Sequence, residues 1–327
     1  MIDLHLHFDG SLLPKTVLEL AKEQGIKLPA YEPEELKNYL TVPMDCQNLE
    51  EYLACFDLPL MVLQTKEGIR KAMYTLVCSL KEQGMLYVEI RFAPQLHTTK
   101  GLTQEEVVQA AAKGLQEALA GSFFKAGLIL CCMRGTDNHA ENMETIETAA
   151  KFLGRGVVAA DIAGEENAYP LEQFEDLFVR AKELGVPYTI HASEEEGPEG
   201  VRTAIRFGTK RIGHGVKSRQ DPEVVELLIR EGIFLESCPT SNLQTKSVSD
   251  ISDHPVLDYL RQGIKVTLNT DNMTVSDTTV EKEFRQLEEH LGLTPEEKKQ
   301  MLLNSVDAAF LSEEEKGRLR DVICKIV

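Results

Sequence analysis

Short apolar, β-branched-rich runs recur along the chain, separated by longer stretches whose apolar positions return with helical spacing. The runs are IDLHLH (2–7), LYVEIRF (86–92), AGLILCCM (126–133), VVAADIA (157–163), PYTIHA (187–192), RIGHG (211–215), IFLESCP (233–239) and KVTLNTD (265–271). They read as eight strands. Between them, 103–120, 171–185 and 221–232 read as helices, the last two stopped by Gly185 and Gly232. Strands that alternate with helices pair in parallel through right-handed crossovers. Eight of them imply an α/β fold of the closed (β/α)8 TIM-barrel kind, one domain over 1–327. The stretch 8–85 is too long for a single crossover helix, and we expect it to add helices capping the C-terminal mouth of the barrel.

Composition narrows the options. The chain carries 53 acids against 35 bases, a net charge of −18. That balance opposes nucleic-acid phosphates and anionic membranes. No GxGxxG follows the first strand and no GxxxxGK[ST] occurs, which lowers the weight of nucleotide-cofactor folds. Seven cysteines form no framework spacing, and several sit in apolar runs such as LILCCM. This is the pattern of reduced core thiols. The chain opens MIDLHLH without a basic leader, and no apolar run approaches the about 18 residues of a membrane span. The expected compartment is the cytoplasm.

In a parallel barrel, chemistry collects at the C-terminal strand ends. His5 and His7 alternate with Leu4 and Leu6, so both imidazoles face one side of the first strand. Asp161 and Gly164, His191, His214 and Asp271 close four further strands. A lone HxH serves as well for a polar strand face as for half a metal site, and a single His214 would usually be a hydrogen-bonded loop residue. A random scatter of eight histidines, however, would not put four on one rim. His97, His139, His254 and His290 read as ordinary loop or helix residues. Three imidazoles and a carboxylate suit zinc or a similar divalent ion. With one position left open, such a site lowers the pKa of a water toward about 7. Glu194, three residues past His191, is placed to carry a proton. Its neighbours Glu195 and Glu196 read as solvated loop acids.

The ordered set HLHFDGS, DIAGEE, TIHASEEEGPE, RIGHG, CPTSNLQT and LNTDN resembles the adenosine deaminases of the amidohydrolase superfamily. VEIRFAP, LCCMR and NSVDAAFLSEEEK extend the match through essentially the whole chain. The resemblance implies a zinc-dependent hydrolytic deaminase of purine salvage. It would turn adenosine and 2′-deoxyadenosine into inosine and 2′-deoxyinosine plus ammonia, with one zinc per chain. His5, His7, His191 and Asp271 would hold the metal. Glu194 would protonate purine N1, His214 would orient the attacking water and help deprotonate it, and Asp271 would share in holding that water.

Substrate contacts follow from the same resemblance. Asp9, with His7 nearby, would accept the ribose 5′-hydroxyl, and Gly164 would donate its backbone N–H to N3. Two positions depart from the common pattern. HASE replaces HAGE at Ser193, adding modest strain if the backbone there is unusual. DNM replaces DDP, so Asn272 would face N7 with amide donors present at every pH. Leu49, Tyr52, Leu53 and Phe56 share one helical face, either a gate over the pocket or an ordinary core stripe. The alternatives are a sibling deaminase of adenine, methylthioadenosine or another 6-aminopurine, or an inactive purine-binding protein. The H-x-E…P-C-x-x-C signature of nucleic-acid deaminases is absent. The partner implied is a small purine nucleoside, neither nucleic acid nor membrane, and the sequence leaves monomer and weak homo-oligomer both open.

Overall fold

The computed structural model describes residues 1–43, 46 and 52–326. Among these, eight strands follow in chain order: β1 Ile2–His7, β2 Tyr87–Phe92, β3 Lys125–Met133, β4 Val157–Ala163, β5 Ile190–Ala192, β6 Arg211–His214, β7 Phe234–Ser237 and β8 Lys265–Leu268. Each expected run contains one of them, except that β3 starts one residue before its run, at Lys125. Neighbours pair in parallel, β1 through β4 in one ladder and β5 through β8 in a second.

Two seams close the barrel. Ala160 of β4 bridges to Tyr188 just ahead of β5. At the other seam Asp271 lies between the backbones of β1: its N–H donates to His5 O (2.8 Å) and its carbonyl accepts from His7 N (2.6 Å). Closure itself therefore carries Asp271 to the two histidines.

Helices form the outer layer, and their ends are those the sequence encodes. Helix Gln104–Leu119 starts on a Thr103/Glu106 capping box. Helix Pro222–Glu231 has Asp221 as its N-cap, Pro222 in the first turn and left-handed Gly232 as its stop. Of the long stretch between β1 and β2, helix Lys66–Glu82 packs beside Gln104–Leu119 in the ring, whereas Tyr52, Leu53, Phe56 and Leu60 lie at the mouth. Leu49 of the expected stripe lies outside the described residues. No helix among the described residues is long and apolar enough to cross a membrane.

Barrel interiors are usually filled by branched apolar side chains. Here strand alternation places a charged layer inside. Val88 and Ile90 of β2 join the apolar core, while Glu89 and Arg91 turn to the axis. Arg91 donates to Asp161 (2.6 Å) and Glu236 (2.7 Å), and Arg211 donates to Glu236 (2.7 Å) and Glu89 (2.6 Å). All five are buried. Such a layer holds together only because each charge has its partners; removing one typically costs about 3–5 kcal/mol.

Candidate active site

The C-terminal strand ends open into a cavity of about 610 Å³, large enough for a nucleoside-sized ligand. His7, Asp9, Gly164, His191, Glu194, His214, Asp271 and Asn272 all line it, and His5 stands fully buried among them. The structure thus brings together every site residue expected from sequence. Several stand on unusual backbone. Ser193, His214 and Asp271 have φ of 63°, 64° and 60°, the left-handed region that side chains other than glycine adopt at a cost. Gly213 is required by a close approach: a Cβ there would lie 2.9 Å from the His5 ring.

The candidate metal ligands converge. His7 Nε2 lies 3.4 Å from His191 Nε2, and Asp271 Oδ1 lies 3.3 Å from His7 Nε2 and 3.5 Å from His5 Nε2. Ligands about 2.1 Å from a tetrahedral ion stand about 3.4 Å apart. The outer nitrogens face carboxylates: His5 Nδ1 lies 2.8 Å from Glu236 Oε2, and His191 Nδ1 lies 2.9 Å from Asp161 Oδ2. Carboxylates there keep the hydrogen on Nδ1 and leave the Nε2 lone pairs facing inward. His5 Nε2 is buried with no hydrogen-bond partner. Burial, with Arg91 and His191 nearby, pushes His5 down to about 4, so it is neutral as a ligand must be. Burial alone would raise Asp271, but the close imidazoles of His5, His7 and His214 hold it well below the usual carboxylate range. The donor set fits a divalent ion.

Glu194 faces this cluster. Its Oε1 accepts from Thr245 Oγ1 (3.0 Å) and Asn242 Nδ2 (3.3 Å), and its Oε2 lies 3.4 Å from His214 Nε2. Burial raises its pKa, opposed by His214 and reinforced by Asp271 and Glu166, a shift that suits a carboxyl meant to deliver a proton near neutrality. The loop carrying Glu194 is held from behind. One oxygen of buried Glu166 accepts the backbone N–H groups of Glu194, Glu195 and Glu196 at 2.9, 3.0 and 3.1 Å, and Ser193 Oγ donates to Gly197 O at 2.7 Å. Ser193 therefore does occupy the strained conformation considered for it.

On the other side, burial pushes Asp9 up to about 6. Asn272 donates to the Tyr52 hydroxyl (2.9 Å) and presses on Gly10, where a Cβ would fall 1.8 Å from Asn272 Oδ1. Tyr52 thus belongs to the pocket rather than only to a core stripe.

A family model described as adenosine deaminase matches residues 1–326. The chain belongs to the adenosine deaminase family. It is 50% identical over 323 residues to an adenosine deaminase of Haemophilus ducreyi, covering 98% of this chain and 94% of that one. It is 42% identical over 323 residues to an adenosine deaminase of Clostridium botulinum, with 98% and 97% covered. Among solved structures, an adenine deaminase of Arthrobacter aurescens superposes with a TM-score of 0.90 at 27% identity, covering 99% and 98%. An Arabidopsis N6-methyl-AMP deaminase gives 0.86 at 25%, covering 99% and 97%. A Burkholderia ambifaria amidohydrolase with bound zinc shares the fold, with a TM-score of 0.87 at 20% identity over 99% and 89%.

Some residues around this candidate site are not marked by the sequence. Asp161 was noted as a strand-end residue, but its support of His191 was not. Glu236, Arg91 and Arg211 lie inside ordinary-looking strands; only their alternation with apolar neighbours marks them. Glu166 in DIAGEE and Ser241, Asn242 and Thr245 in CPTSNLQT are polar residues whose spacing along the chain marks no role. His254, read as an ordinary loop residue, bonds Asn242 and so stands directly behind the site.

Proposed function

We propose that this chain hydrolyses adenosine and 2′-deoxyadenosine to inosine and 2′-deoxyinosine, releasing ammonia, with one zinc ion held by His5, His7, His191 and Asp271. The observation that carries the reading is the joint one: inward-facing ligand atoms 3.3–3.5 Å apart open onto the same cavity as Glu194, a half-buried carboxyl whose pKa is raised. Zinc there would lower the pKa of a water toward about 7 and make a nucleophile available near neutral pH.

The chain's own residues supply the rest. Glu194 delivers a proton to N1, which makes C6 more electrophilic as water adds to it. The water gives up both protons as the C6 carbonyl forms: one reaches the amino group, so that the C6–N bond breaks and ammonia leaves, and the other restores the Glu194 carboxyl. His214 and Asp271 hold the water on the face of the ring where it attacks. Asp9 accepts the 5′-hydroxyl, Gly164 N–H meets N3, and Asn272 offers an N–H to N7. Gly164 stands at φ 112°, where a Cβ would lie 3.3 Å from Arg134, so only glycine presents its N–H here without strain.

The sibling reading has one observation behind it, the adenine deaminase fold match. Buried Asp9 favours a ligand that brings a hydroxyl to this end of the cavity. A substrate panel of adenosine, 2′-deoxyadenosine, adenine and methylthioadenosine, followed by loss of absorbance at the adenosine band, decides. Rapid turnover of the two nucleosides and metal analysis giving one zinc per chain are expected. Adenine as the preferred substrate, or an active metal-free protein, would overturn the proposal.

A further inference from the structure

Behind His214 runs a chain of hydrogen bonds whose direction is set at its far end by a backbone amide. Val256 N–H donates to His254 Nδ1 at 3.2 Å. A peptide nitrogen can only donate, so His254 Nδ1 carries no hydrogen. Burial, aided by the charges of Arg219 and His214, pushes His254 down to about 3, which keeps the ring neutral. A neutral imidazole bare on Nδ1 holds its hydrogen on Nε2. That Nε2 lies 3.2 Å from Asn242 Oδ1, so it donates there and fixes which end of the fully buried Asn242 amide is oxygen. The other end, Nδ2, has two hydrogens and meets two acceptors: His214 Nδ1 at 3.0 Å and Glu194 Oε1 at 3.3 Å. His214 Nδ1 therefore accepts and carries no hydrogen, which leaves the ring's hydrogen on Nε2, the nitrogen 3.4 Å from Glu194 Oε2.

We infer that His254 and Asn242 are positioning residues that lock His214 in its Nε2-protonated tautomer, so that it meets the attacking water as a hydrogen-bond donor and not as a base. The tautomer stands on the hydrogen bonds alone; its role toward water rests on the deaminase reading. A ring bare on Nε2 could take the water's proton, as the resemblance implied. A ring already protonated there has no lone pair to offer, and the proton must pass to a carboxylate, Asp271 or Glu194. The same Asn242 nitrogen bonds Glu194, so one amide sets both the histidine tautomer and the carboxyl orientation.

The test is ¹⁵N NMR of zinc-loaded, histidine-labelled protein, with His214 assigned by comparison with His214→Gln. Wild type should show His214 protonated on Nε2 and bare on Nδ1. In His254→Phe, which keeps the volume and removes both nitrogens, Asn242 can turn over and His214 should become a tautomer mixture. kcat on adenosine should then fall about 10–100-fold, the usual loss for a supporting partner, with KM nearly unchanged. His254→Gln, which keeps an N–H for Asn242, should recover most of that loss; a residue with a merely structural role would move neither the spectrum nor this order of variants. A wild-type His214 protonated on Nδ1 overturns the inference whether or not any variant folds. So does an unaltered tautomer in folded His254→Phe. Absence of adenosine turnover would instead sink the deaminase reading and leave the tautomer measurement standing.

Discussion

The two halves of the barrel are built differently. The strands β1–β4 are six to nine residues long, while β5–β8 have only three or four each. In the first half the strands run to the rim in extended backbone and deliver His5, His7 and Asp161 by alternation alone. In the second half the ladder stops early. Ser193, His214 and Asp271 then turn left-handed, which swings Glu194, His214 and Asp271 over the barrel axis instead of along its wall. Side chains hold these turned residues in place: Glu166 accepts the N–H groups of the Glu194 loop, Asn242 bonds the His214 ring, and Ser241 donates to Asp271 Oδ2. The first half acts as frame and the second half carries most of the reacting groups, with the backbone strain that often marks such sites.

Variants should separate frame from working end. The largest effect on turnover is expected from Glu194→Gln, which cannot deliver the proton: kcat should fall about 10²–10⁴-fold, with metal content and melting temperature unchanged. A near-normal rate would move the role to Glu195 or Glu196. The converse variant is Arg91→Met. It leaves Asp161 and Glu236 without the guanidinium between them, and denaturant unfolding should show a loss of about 3–5 kcal/mol together with weaker metal retention. An unchanged midpoint would mean that the charged layer is not what holds the frame.

Smaller effects sharpen the division. Wild type should discriminate against 7-deazaadenosine by about 1–3 kcal/mol in kcat/KM, the cost of leaving a buried donor facing C–H, and Asn272→Ala should abolish the discrimination. Indifference to N7 in the wild type would remove Asn272 from ring recognition and favour the sibling substrates. Glu283, on the second half, is raised to about 7 mainly by burial. An acid with a raised folded pKa contributes stability below its unfolded value near 4.5, and that contribution is lost as pH rises toward 7. Thermal melts across this window should therefore decline, and Glu283→Gln should flatten the decline. Ser193→Gly should change stability by less than about 1 kcal/mol, because relief of left-handed strain is offset by loss of the Ser193–Gly197 bond. A large destabilisation would show that this serine does more than occupy a glycine's place.

The barrel, its eight strands and the identity of the rim residues are legible in the order of residues because they follow from local properties. Strand alternation puts His5 and His7 on one face whatever surrounds them, and caps such as Thr103 with Glu106 or Asp221 with Pro222 act within one helical turn. The last residues of the second-half strands were less legible: the runs continue to 215, 239 and 271, but the strands end at His214, Ser237 and Leu268, and where a ladder stops depends on what each side chain meets. Three matters were decided only by the tertiary structure. Asp271 reaches the histidines because β8 closes against β1. Arg91, Arg211, Glu89, Asp161 and Glu236 neutralise one another because four strands turn them to a common axis. His214 takes its tautomer from Val256 through His254 and Asn242. The physical reason is the same in each case: a charge or a hydrogen-bond direction is fixed by a partner brought near in space, and its spacing along the chain says nothing of that partner.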